Sequence, residues 1–474
     1  MNNLFKFCLL AFVSLGLGSC SWLDEDVDRF ITEEQALETP EDFEALLNSC
    51  YDVLANLYDG DVQIINEIRG DNLGQPNANL DFKAIYNRET IRWNSYVGGV
   101  NSDFYYPVGR VNLLLQRVDD FPGLSGEDRA RIKAEALFIR ALCFFEAVKM
   151  FAQPYGYTDD NSHPGIPIPT GRDPETGDVI AVITPVPRST VAETYAQIES
   201  DLNGAIAGLP SNNGTYANVH AAKALLAQVH FLQLNWTAAE QLATEVIESD
   251  LFELDAPPTE NDTAFWRLRL SNQGPNVETI FGTYSSLEFN DDRTSRFRQY
   301  WAPAANPELT VSSAYLSWFN TNGGTDGDRR AVWLEVIGDG KVKLNRFTDY
   351  NFFNVPVIHY TQMLLMRAEC LGEMNTNLSK AIEDINRIRT RAGSPQLLST
   401  SASADEVINA ARVEYRKETL GMGQWVSQLQ RRGVMGEDIV IRDAPWDCDG
   451  MALQFSASEG NVNGFEFNPV GGCN

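Results

Sequence analysis

Acidic side chains are the most abundant groups in this chain that could do acid–base chemistry. The sequence contains 65 aspartates and glutamates, and two carboxylates at a suitable separation could hydrolyse a glycosidic bond. No spacing distinguishes such a pair, and neither a GxSxG elbow, a phosphate loop nor a GxGxxG turn occurs in the sequence. The four histidines also lack a metal-binding spacing such as HExxH; they are His163, His220, His230 and His359. The sequence therefore predicts neither an enzyme nor a cofactor.

Oxygen ligands for calcium occur at two places. The pairs are Asp326 with Asp328, and Asp447 with Asp449. Neither pair matches the EF-hand loop pattern. Calcium is therefore a weak expectation, and no metal site is assigned.

Cys20 lies where its thiol could carry lipid. Residues 1–19 contain one positive charge, Lys6, then an apolar run at residues 7–17 and the small pair Gly18-Ser19, as in a secretory signal peptide. The apolar run is shorter than the ~20 residues that a membrane-spanning helix needs. The sequence Leu17-Gly18-Ser19-Cys20 resembles a bacterial lipobox, in which cleavage leaves an acylated cysteine at the mature amino terminus. The alternative is an ordinary signal peptide with a cysteine there by chance.

The remaining cysteines predict one disulfide. Cys448 and Cys473 flank a tail rich in Gly and Asn, and in an exported protein this arrangement predicts that they are joined. Cys143 and Cys370 lie in apolar helical runs and are expected to be buried. No CxxC pair, the usual spacing of zinc ligands, occurs.

The charge of the chain limits its partners. The formal net charge is -28 at pH 7. An acidic body repels phosphate backbones and anionic lipid surfaces, which excludes nucleic acid as an expected partner. Neutral or cationic ligands fit this charge better.

Helical patterns dominate the chain. Residues 128–150 are polar at first and then apolar nearly all round, which predicts a helix buried on most faces. Residues 189–209 predict a second helix, with Ser189 or Thr190 as its amino-terminal cap. The proline-rich passage 163–187 between them predicts an extended connection.

Two segments have the pattern of one repeated unit. Residues 220–248 and residues 360–393 each predict a helix, an Asn-containing turn and a second helix, with Ala227 and Ala368 where the helices cross. A repeat of ~34 residues is typical of tetratricopeptide-like pairs that stack into a solenoid. The alternative is ordinary antiparallel pairing of helices.

Long irregular stretches interrupt the helical pattern. Residues 251–356 are rich in Asn, Asp, Gly, Pro and aromatics, and residues 60–100 have a similar composition. Such stretches in a helical scaffold often carry the function.

The order of these segments resembles the SusD/RagB family of Bacteroidetes outer-membrane nutrient-binding lipoproteins. The stretches that carry the resemblance are AEALFIRALCFFEAVKMFAQPYG, GIPIP, PRSTVAETYAQIESDLNGAIAGLP, AAKALLAQVHF, DGDRR and YTQMLLMRAECLGE with AIEDINRIRTRAG. Asp24-Glu25-Asp26, soon after Cys20, is similar to the surface-export tags of such lipoproteins, and the tail ends in FNPVGG. One departure is that the family's late Glu-Gly…Trp…Asp-Leu pattern is GMGQWVSQLQRRG here, which keeps Trp425 but lacks the Glu and the Asp. We expect those carboxylates to fix local packing.

The resemblance implies an architecture and a location. The fold would be mostly helical, a right-handed solenoid of tetratricopeptide-like pairs with long loop-rich insertions. Residues 1–19 would be the lipoprotein signal peptide and 20–474 one SusD-like domain, with an acidic tether at about residues 20–30 and loop-rich material at 251–356. The mature protein would be lipid-anchored in the outer membrane, facing outside.

The resemblance also implies a function, which is capture of oligosaccharide or polysaccharide and its delivery to a SusC-like TonB-dependent transporter. Sugars offer flat C–H faces and many hydroxyls, which suit aromatic platforms flanked by polar side chains. The ligand candidates are aromatic and polar residues of the loop-rich stretches: Asn77, Asp81, Phe82, Tyr86, Trp266, Tyr284, Arg298, Tyr300 and Trp301. Trp93 is left out because it adjoins a core helix, and Trp318 and Trp333 are expected to be structural. The alternatives are a glycoside hydrolase on a helical scaffold and a protein-docking scaffold without a small ligand.

Overall fold

Helices form most of the fold in the computed structural model. It describes residues 37–172, 176, 181, 184–255, 277–285, 288, 296–297, 307–324, 327–346, 354–394, 396–471 and 473. The helices are α1 Pro40–Leu57, α2 Asp61–Arg69, α3 Leu80–Tyr86, α4 Ser95–Arg117, α5 Gly126–Phe151, α6 Val191–Gly208, α7 Val219–Leu232, α8 Trp236–Ile247, α9 Ser313–Phe319, α10 Tyr360–Glu373, α11 Leu378–Arg391, α12 Ala404–Glu418 and α13 Trp425–Val434. None of the helices in these ranges is both long and apolar enough to cross a bilayer.

The strands are short and form antiparallel pairs. Their bounds are β1 Pro164–Pro167, β2 Arg188–Thr190, β3 Thr279–Thr283, β4 Leu334–Val336, β5 Val342–Leu344, β6 Val355–His359, β7 Val440–Ile441 and β8 Ala444–Pro445. The pairs are β1 with β2, β3 with β6, β4 with β5, and β7 with β8. Two of these pairs, β4–β5 and β7–β8, are hairpins whose turns reach the candidate site described below.

Helix α5 is the centre of the core. Ser125 caps its amino terminus by accepting a bond from the Asp128 amide, and most side chains from Ala134 to Phe151 are buried. The predicted helix at residues 128–150 is therefore confirmed. The predicted cap of the next helix is Thr190, which forms a capping box with Glu193.

Successive helices pack against one another along the chain. Helix α4 contacts α5, α5 contacts α6, α6 contacts α7 and α7 contacts α8; later, α8 contacts α10, and α10 contacts both α11 and α12. The two predicted repeat segments are the pairs α7–α8 and α10–α11, and Ala227 and Ala368 are fully buried in them. This succession is consistent with a stack of helix pairs.

Two buried Arg–Asp pairs have the same geometry in different parts of this stack. Arg140 on α5 donates Nε and Nη2 to the two carboxylate oxygens of Asp201 on α6, at 2.8 and 2.7 Å. Arg367 on α10 does the same to Asp384 on α11, at 2.8 and 2.9 Å. Bidentate pairs of this kind fix the rotation of one helix against the next. The α5–α6 and α10–α11 interfaces therefore share one Arg–Asp arrangement.

The DGDRR stretch lies at a buried ionic cluster. Arg330 has no solvent-exposed side-chain surface and bonds Asp328 at 2.6 Å, Glu414 at 2.7 Å and Glu418 at 3.0 Å. Burial alone would lower the pKa of Arg330, but Asp328, Glu414 and Glu418 together hold it well above its ordinary value. Asp328 also accepts from Lys417 at 3.3 Å. One of the two carboxylates considered for calcium there is therefore bound to cations of the protein.

The carboxy-terminal tail is fixed to α5. Asn468 donates to the carbonyls of Phe151 and Leu453 at 2.8 and 2.7 Å, and Gln454 donates to the Asn468 carbonyl at 2.6 Å. The predicted disulfide between Cys448 and Cys473 is present. Cys143 and Cys370 are buried free thiols, as expected.

One part of the predicted organisation is wrong. Residues 60–100 were expected to be irregular, but they contain α2 and α3. Asn79 caps α3 by accepting a bond from the Phe82 amide at 3.0 Å. Residues 62–69 are all buried, so tertiary packing stabilises this short helix.

Candidate functional site

A cleft of about 620 Å³ lies beside α3. We call it the Tyr86 cleft and define it by Tyr86 and residues within four segments, 71–74, 310–316, 340–342 and 440–443. The turn of the β4–β5 hairpin contributes Gly340 and Lys341, and the turn of the β7–β8 hairpin contributes Arg442 and Asp443. Two hairpin turns and a helix end therefore enclose one space.

The floor of the cleft joins two distant parts of the chain. Leu73 and Val311 form an isolated antiparallel bridge, and the Gly74 amide donates to the Thr310 carbonyl at 2.9 Å. Ser312 caps α9 by accepting from the Tyr315 amide, and its hydroxyl donates to the Asp71 carbonyl at 2.8 Å. Backbone and side-chain hydrogen bonds thus join the two segments at the floor of the cleft.

Asp71 is oriented by a cation and an indole. Its Oδ1 accepts from Arg416 Nη2 at 2.9 Å and from Trp425 Nε1 at 3.0 Å. The Arg416 guanidinium in turn lies 4.4 Å from the ring centroid of Trp318 and 5.0 Å from that of Trp425. Cation–π contacts of this kind restrain the guanidinium. Trp318 and the buried Trp333 have the structural roles expected of them.

Glu67 supplies a carboxylate to the GMG turn from another part of the chain. Its Oε1 accepts from the amides of Gly421 and Gly423, each at 3.0 Å, and its Oε2 accepts from Asn72 at 3.1 Å. Burial raises the pKa of Glu67 to about 7, although these hydrogen bonds and Arg416 oppose the rise. Glu67 therefore connects the turn before α13 to the residue that follows Asp71.

The β7–β8 turn is strained. Arg442 and Asp443 have φ values of 47° and 66°, in the left-handed region that a two-residue hairpin turn of type I′ requires and that Asn-Gly usually fills. A residue with a Cβ in this region costs roughly 1–2 kcal/mol. Arg88 donates to the carbonyls of Ile441 and Arg442, which holds the turn in place. Strain that the surroundings enforce is common at ligand sites.

Arg442 packs on Tyr86. Its guanidinium carbon lies 3.8 Å from the centroid of the Tyr86 ring, and Nη2 donates to the Arg69 carbonyl at 3.3 Å. Two further nitrogens of Arg442, Nε and Nη1, are buried without a hydrogen-bond partner. Burial lowers the pKa of Arg442. The Tyr86–Arg442 pair thus places a cation against an aromatic ring at the cleft wall.

The structure assigns different surroundings to the predicted ligand residues near α3. Tyr86 lines the cleft. The exposed Asn77 lies in a loop, and its backbone amide donates a hydrogen bond to the Glu308 carbonyl at 3.0 Å. Asp81 accepts from the amide and hydroxyl of Ser95 at the start of α4, so its carboxylate stabilises that helix end. Phe82 was predicted wrongly, because it is fully buried and packs 4.6 Å from the Tyr96 ring. The first turn of α3 directs it into the core.

The other predicted ligand residues do not line the cleft or cannot be compared with it. Tyr284 follows β3 and is absent from the cleft lining, and burial raises its pKa. Four of the predicted residues lie outside the described residues: Trp266, Arg298, Tyr300 and Trp301.

Trp93 is an exposed aromatic that the sequence analysis left out. Its side chain is 79% exposed. The Asn94 side chain caps α4 and also donates to the Asp81 carbonyl at 3.0 Å, so Trp93 lies near the start of α3. Tyr86 ends the same helix, about 9 Å along its axis. An aromatic residue just before a helix cap usually packs on the fourth helical residue; that residue is Gly98 here, so Trp93 finds no such partner. The sequence itself already shows Trp93 before the cap and Gly98 at the fourth helical position.

The cleft combines the groups that hydroxyl-rich ligands need. Carboxylates of Asp71 and Asp443 can accept from hydroxyls, Arg442 and Lys341 can donate to them, and Ser313 can do both. Apolar contact comes from Tyr86 and, beyond the start of α3, from Trp93. Among the described residues, no cluster of three or more metal-ligating side chains occurs.

Family comparisons match this chain over two long segments. A family model described as "Starch-binding associating with outer membrane" matches residues 21–231, and a SusD family model, SusD_RagB, matches residues 336–467. The chain belongs to the SusD/RagB family. The second SusD/RagB match contains the β7–β8 hairpin, Trp425 and the GMG turn, and the first contains Asp71, Tyr86 and Trp93.

Individual SusD-like proteins match this chain at low sequence identity. SusD-like protein P2 of Formosa agariphila is 24% identical over 436 residues, covering 80% of this chain and 79% of that protein. SusD-like protein P25 of the same organism is 25% identical over 263 residues, which are 52% of this chain and 46% of P25, so the match spans less than half of P25.

Solved SusD structures have the same fold. A SusD superfamily protein from Bacteroides vulgatus has a TM-score of 0.77 at 21% identity, covering 91% of this chain and 99% of that one. A laminarin-binding SusD-like protein has a TM-score of 0.69 at 20% identity, covering 91% and 100%.

Proposed function

We propose that this protein binds a glycan in the Tyr86 cleft at the cell surface and delivers it to a SusC-like TonB-dependent transporter, without cleaving it. The observation that carries the proposal is the cleft itself, where an aromatic ring, two carboxylates and two cations surround one space. Family membership and the laminarin-binding relative in structure support a glycan as the ligand.

The charges within the cleft favour a neutral glycan. Asp71 and Asp443 face the same space as Arg442 and Lys341, so neither sign predominates there. The net charge of -28 repels polyanionic chains at long range. A neutral glucan such as laminarin or starch suits the mixed charges of the cleft and is not repelled by the net negative charge of the chain.

Trp93 extends the site beyond the cleft. Its exposed ring lies near one end of α3 and Tyr86 at the other, a separation that a short oligosaccharide can span. A glycan bound in the cleft would stack on Trp93 where it leaves the cleft.

The lipid anchor keeps this site at the membrane. Cys20, in the lipobox-like sequence, is the proposed attachment residue and lies outside the described residues. Stable attachment needs more than one acyl chain, and the acidic residues at 24–26 would separate the body from the bilayer.

The test is an affinity-gel screen of the mature chain carrying Cys20→Ser against laminarin, starch, xylan and a polyuronate, with release of reducing ends assayed in parallel. We expect retardation by a neutral polysaccharide without release. Release of reducing ends would favour a hydrolase instead, and retardation by none of the polymers would favour a docking scaffold. Co-purification of a transporter with the tagged wild-type lipoprotein tests delivery.

A further inference from the structure

A second cleft, of about 520 Å³, lies along α4. We call it the Tyr106 groove. One wall is the face of α4 that carries Asn101, Tyr105, Tyr106 and Gly109. The opposite wall consists of Pro167, Pro169 and residues 184–186, and Glu459 closes one end. It shares no lining residue with the Tyr86 cleft.

The groove presents rings to solvent. Tyr106 is 63% exposed although it lies in the middle of a long helix whose other aromatic residues are packed. Proline rings form the opposite wall, so a ligand entering the groove contacts flat apolar surfaces on two sides. Such surfaces suit the C–H face of a pyranose ring.

A buried acceptor in the groove has no partner. Asn101 is 3% exposed, and its Oδ1 has no hydrogen-bond partner. The Asn101 side chain is hydrogen-bonded to the Glu459 carboxylate, so its amide nitrogen is used and its oxygen is left. A buried acceptor in this state has lost its hydration without gaining a partner, and a ligand hydroxyl would supply that partner.

Two side chains of the groove donate hydrogen bonds within the protein. Tyr105 donates its hydroxyl to the Pro167 carbonyl at 3.1 Å, and Arg110 donates to the Ser49 carbonyl at 2.8 Å. The groove also offers two acceptors, Asn101 Oδ1 and the Glu459 carboxylate, which suit a ligand that brings donors. Burial raises the pKa of Glu459, and in its ionised form the carboxylate repels an acidic ligand.

We propose that the Tyr106 groove is a second carbohydrate-binding site, specific for a neutral, hydroxyl-bearing sugar ring that stacks on Tyr106 and donates a hydroxyl to Asn101. This proposal rests on the proposed glycan function and adds a site that acts independently of the Tyr86 cleft. Two separate sites on one chain would raise the avidity for a polysaccharide long enough to reach both.

The test is ¹⁹F NMR of the mature chain labelled with 3-fluorotyrosine. The Tyr86, Tyr105 and Tyr106 resonances are assigned by their loss in the corresponding Phe variants. Maltose, laminaribiose, cellobiose and mannobiose are titrated, with a diglucuronate as the acidic probe. We expect at least one neutral disaccharide to shift the Tyr106 resonance saturably, and the diglucuronate to leave it unchanged.

Two variants relate the shift to the groove. Asn101→Leu should weaken binding at the Tyr106 resonance at least tenfold. Tyr106→Ala, at an exposed position that folding does not need, should weaken binding reported by Tyr105 to a similar extent. Tyr216→Ala, at a 41% exposed tyrosine outside the groove, should change neither.

The outcomes separate this proposal from the function of the first site. If the Tyr86 resonance responds to a sugar and Tyr106 stays silent, the second site is refuted and the first stands. If Tyr106 responds alone, the groove is supported and the placement of the glycan in the Tyr86 cleft is contradicted. Silence of both resonances across the panel overturns both proposals.

Discussion

Trp425 donates its indole N–H to the carboxylate of Asp71 at 3.0 Å, across 354 residues of sequence. The bond connects the first residue of α13 to the edge of the Tyr86 cleft. It gives the tryptophan of the late GMGQWVSQLQRRG stretch a structural role, because this side chain holds a carboxylate of the Tyr86 cleft in position.

Trp425→Phe should weaken both stability and glycan binding. The substitution removes a bond to a charged group and leaves Asp71 with Arg416, which should lower the free energy of unfolding by about 1–2 kcal/mol. We expect glycan affinity to fall a few-fold, measured by calorimetric titration. Trp318→Phe is the matched control, since Trp318 packs on the same guanidinium at 4.4 Å. An equal loss of affinity in both variants would contradict a specific role for the indole bond.

Glu67→Gln should change how stability depends on pH. The pKa of Glu67 is about 7 in the folded protein against an ordinary value of 4.5, so between these values the folded state holds a proton that the unfolded state has lost. Stability then falls as pH rises through this window, by up to ~1.4 kcal/mol per pH unit, and is constant above it. Urea unfolding from pH 4.5 to 8 should show a shallower decline for Glu67→Gln. Glu127→Gln, at an exposed position on α5, should keep the wild-type slope; identical slopes in all three proteins would refute the prediction.

Asp443→Gly should stabilise the protein and weaken glycan binding. Gly adopts the φ of 66° without strain, so the hairpin should gain about 0.5–1 kcal/mol, while the cleft loses a carboxylate. Asp443→Asn keeps the backbone preference and separates the two effects, and we expect unchanged stability with reduced affinity. Thermal unfolding and calorimetric titration measure both quantities. Full affinity in both variants would remove Asp443 from the site.

Cys20→Ser should release the protein from membranes. The thiol is the proposed point of lipid attachment, and without it nothing in the described helices is suited to span a bilayer. Fractionation of cells expressing wild-type and Cys20→Ser chains, with immunoblotting, measures this. A variant that stays in the membrane fraction would contradict lipid anchoring at Cys20.

Local sequence patterns predicted much of the scaffold. Helix α5, the Thr190 cap and the pairs α7–α8 and α10–α11 follow from apolar periodicity and capping residues, which act over a few residues. Helix α2 was missed because its burial depends on contacts with α13 and α4, which no local pattern records.

The site was predicted less completely, and the reasons are physical. Tyr86, which lines the cleft, was predicted because an aromatic residue in a polar stretch is itself a signal, but the same rule selected Phe82, which the first turn of α3 buries. Arg442 and Asp443 were missed because an Arg-Asp turn lacks the Asn-Gly signature of its type. Asp71 was missed because its role depends on Trp425 and Arg416, which lie more than 340 residues later.

The most direct test of glycan capture by the Tyr86 cleft is calorimetric titration of the polysaccharide that the affinity-gel screen selects. The proteins compared are wild type, Trp93→Ala, Tyr86→Ala and the control Tyr216→Ala. We expect Trp93→Ala and Tyr86→Ala each to lose about tenfold in affinity, or ~1.4 kcal/mol, with Trp93→Ala keeping its melting temperature because the side chain is 79% exposed. Wild-type affinity in both variants, with the protein still binding the polysaccharide, would show that the glycan binds elsewhere.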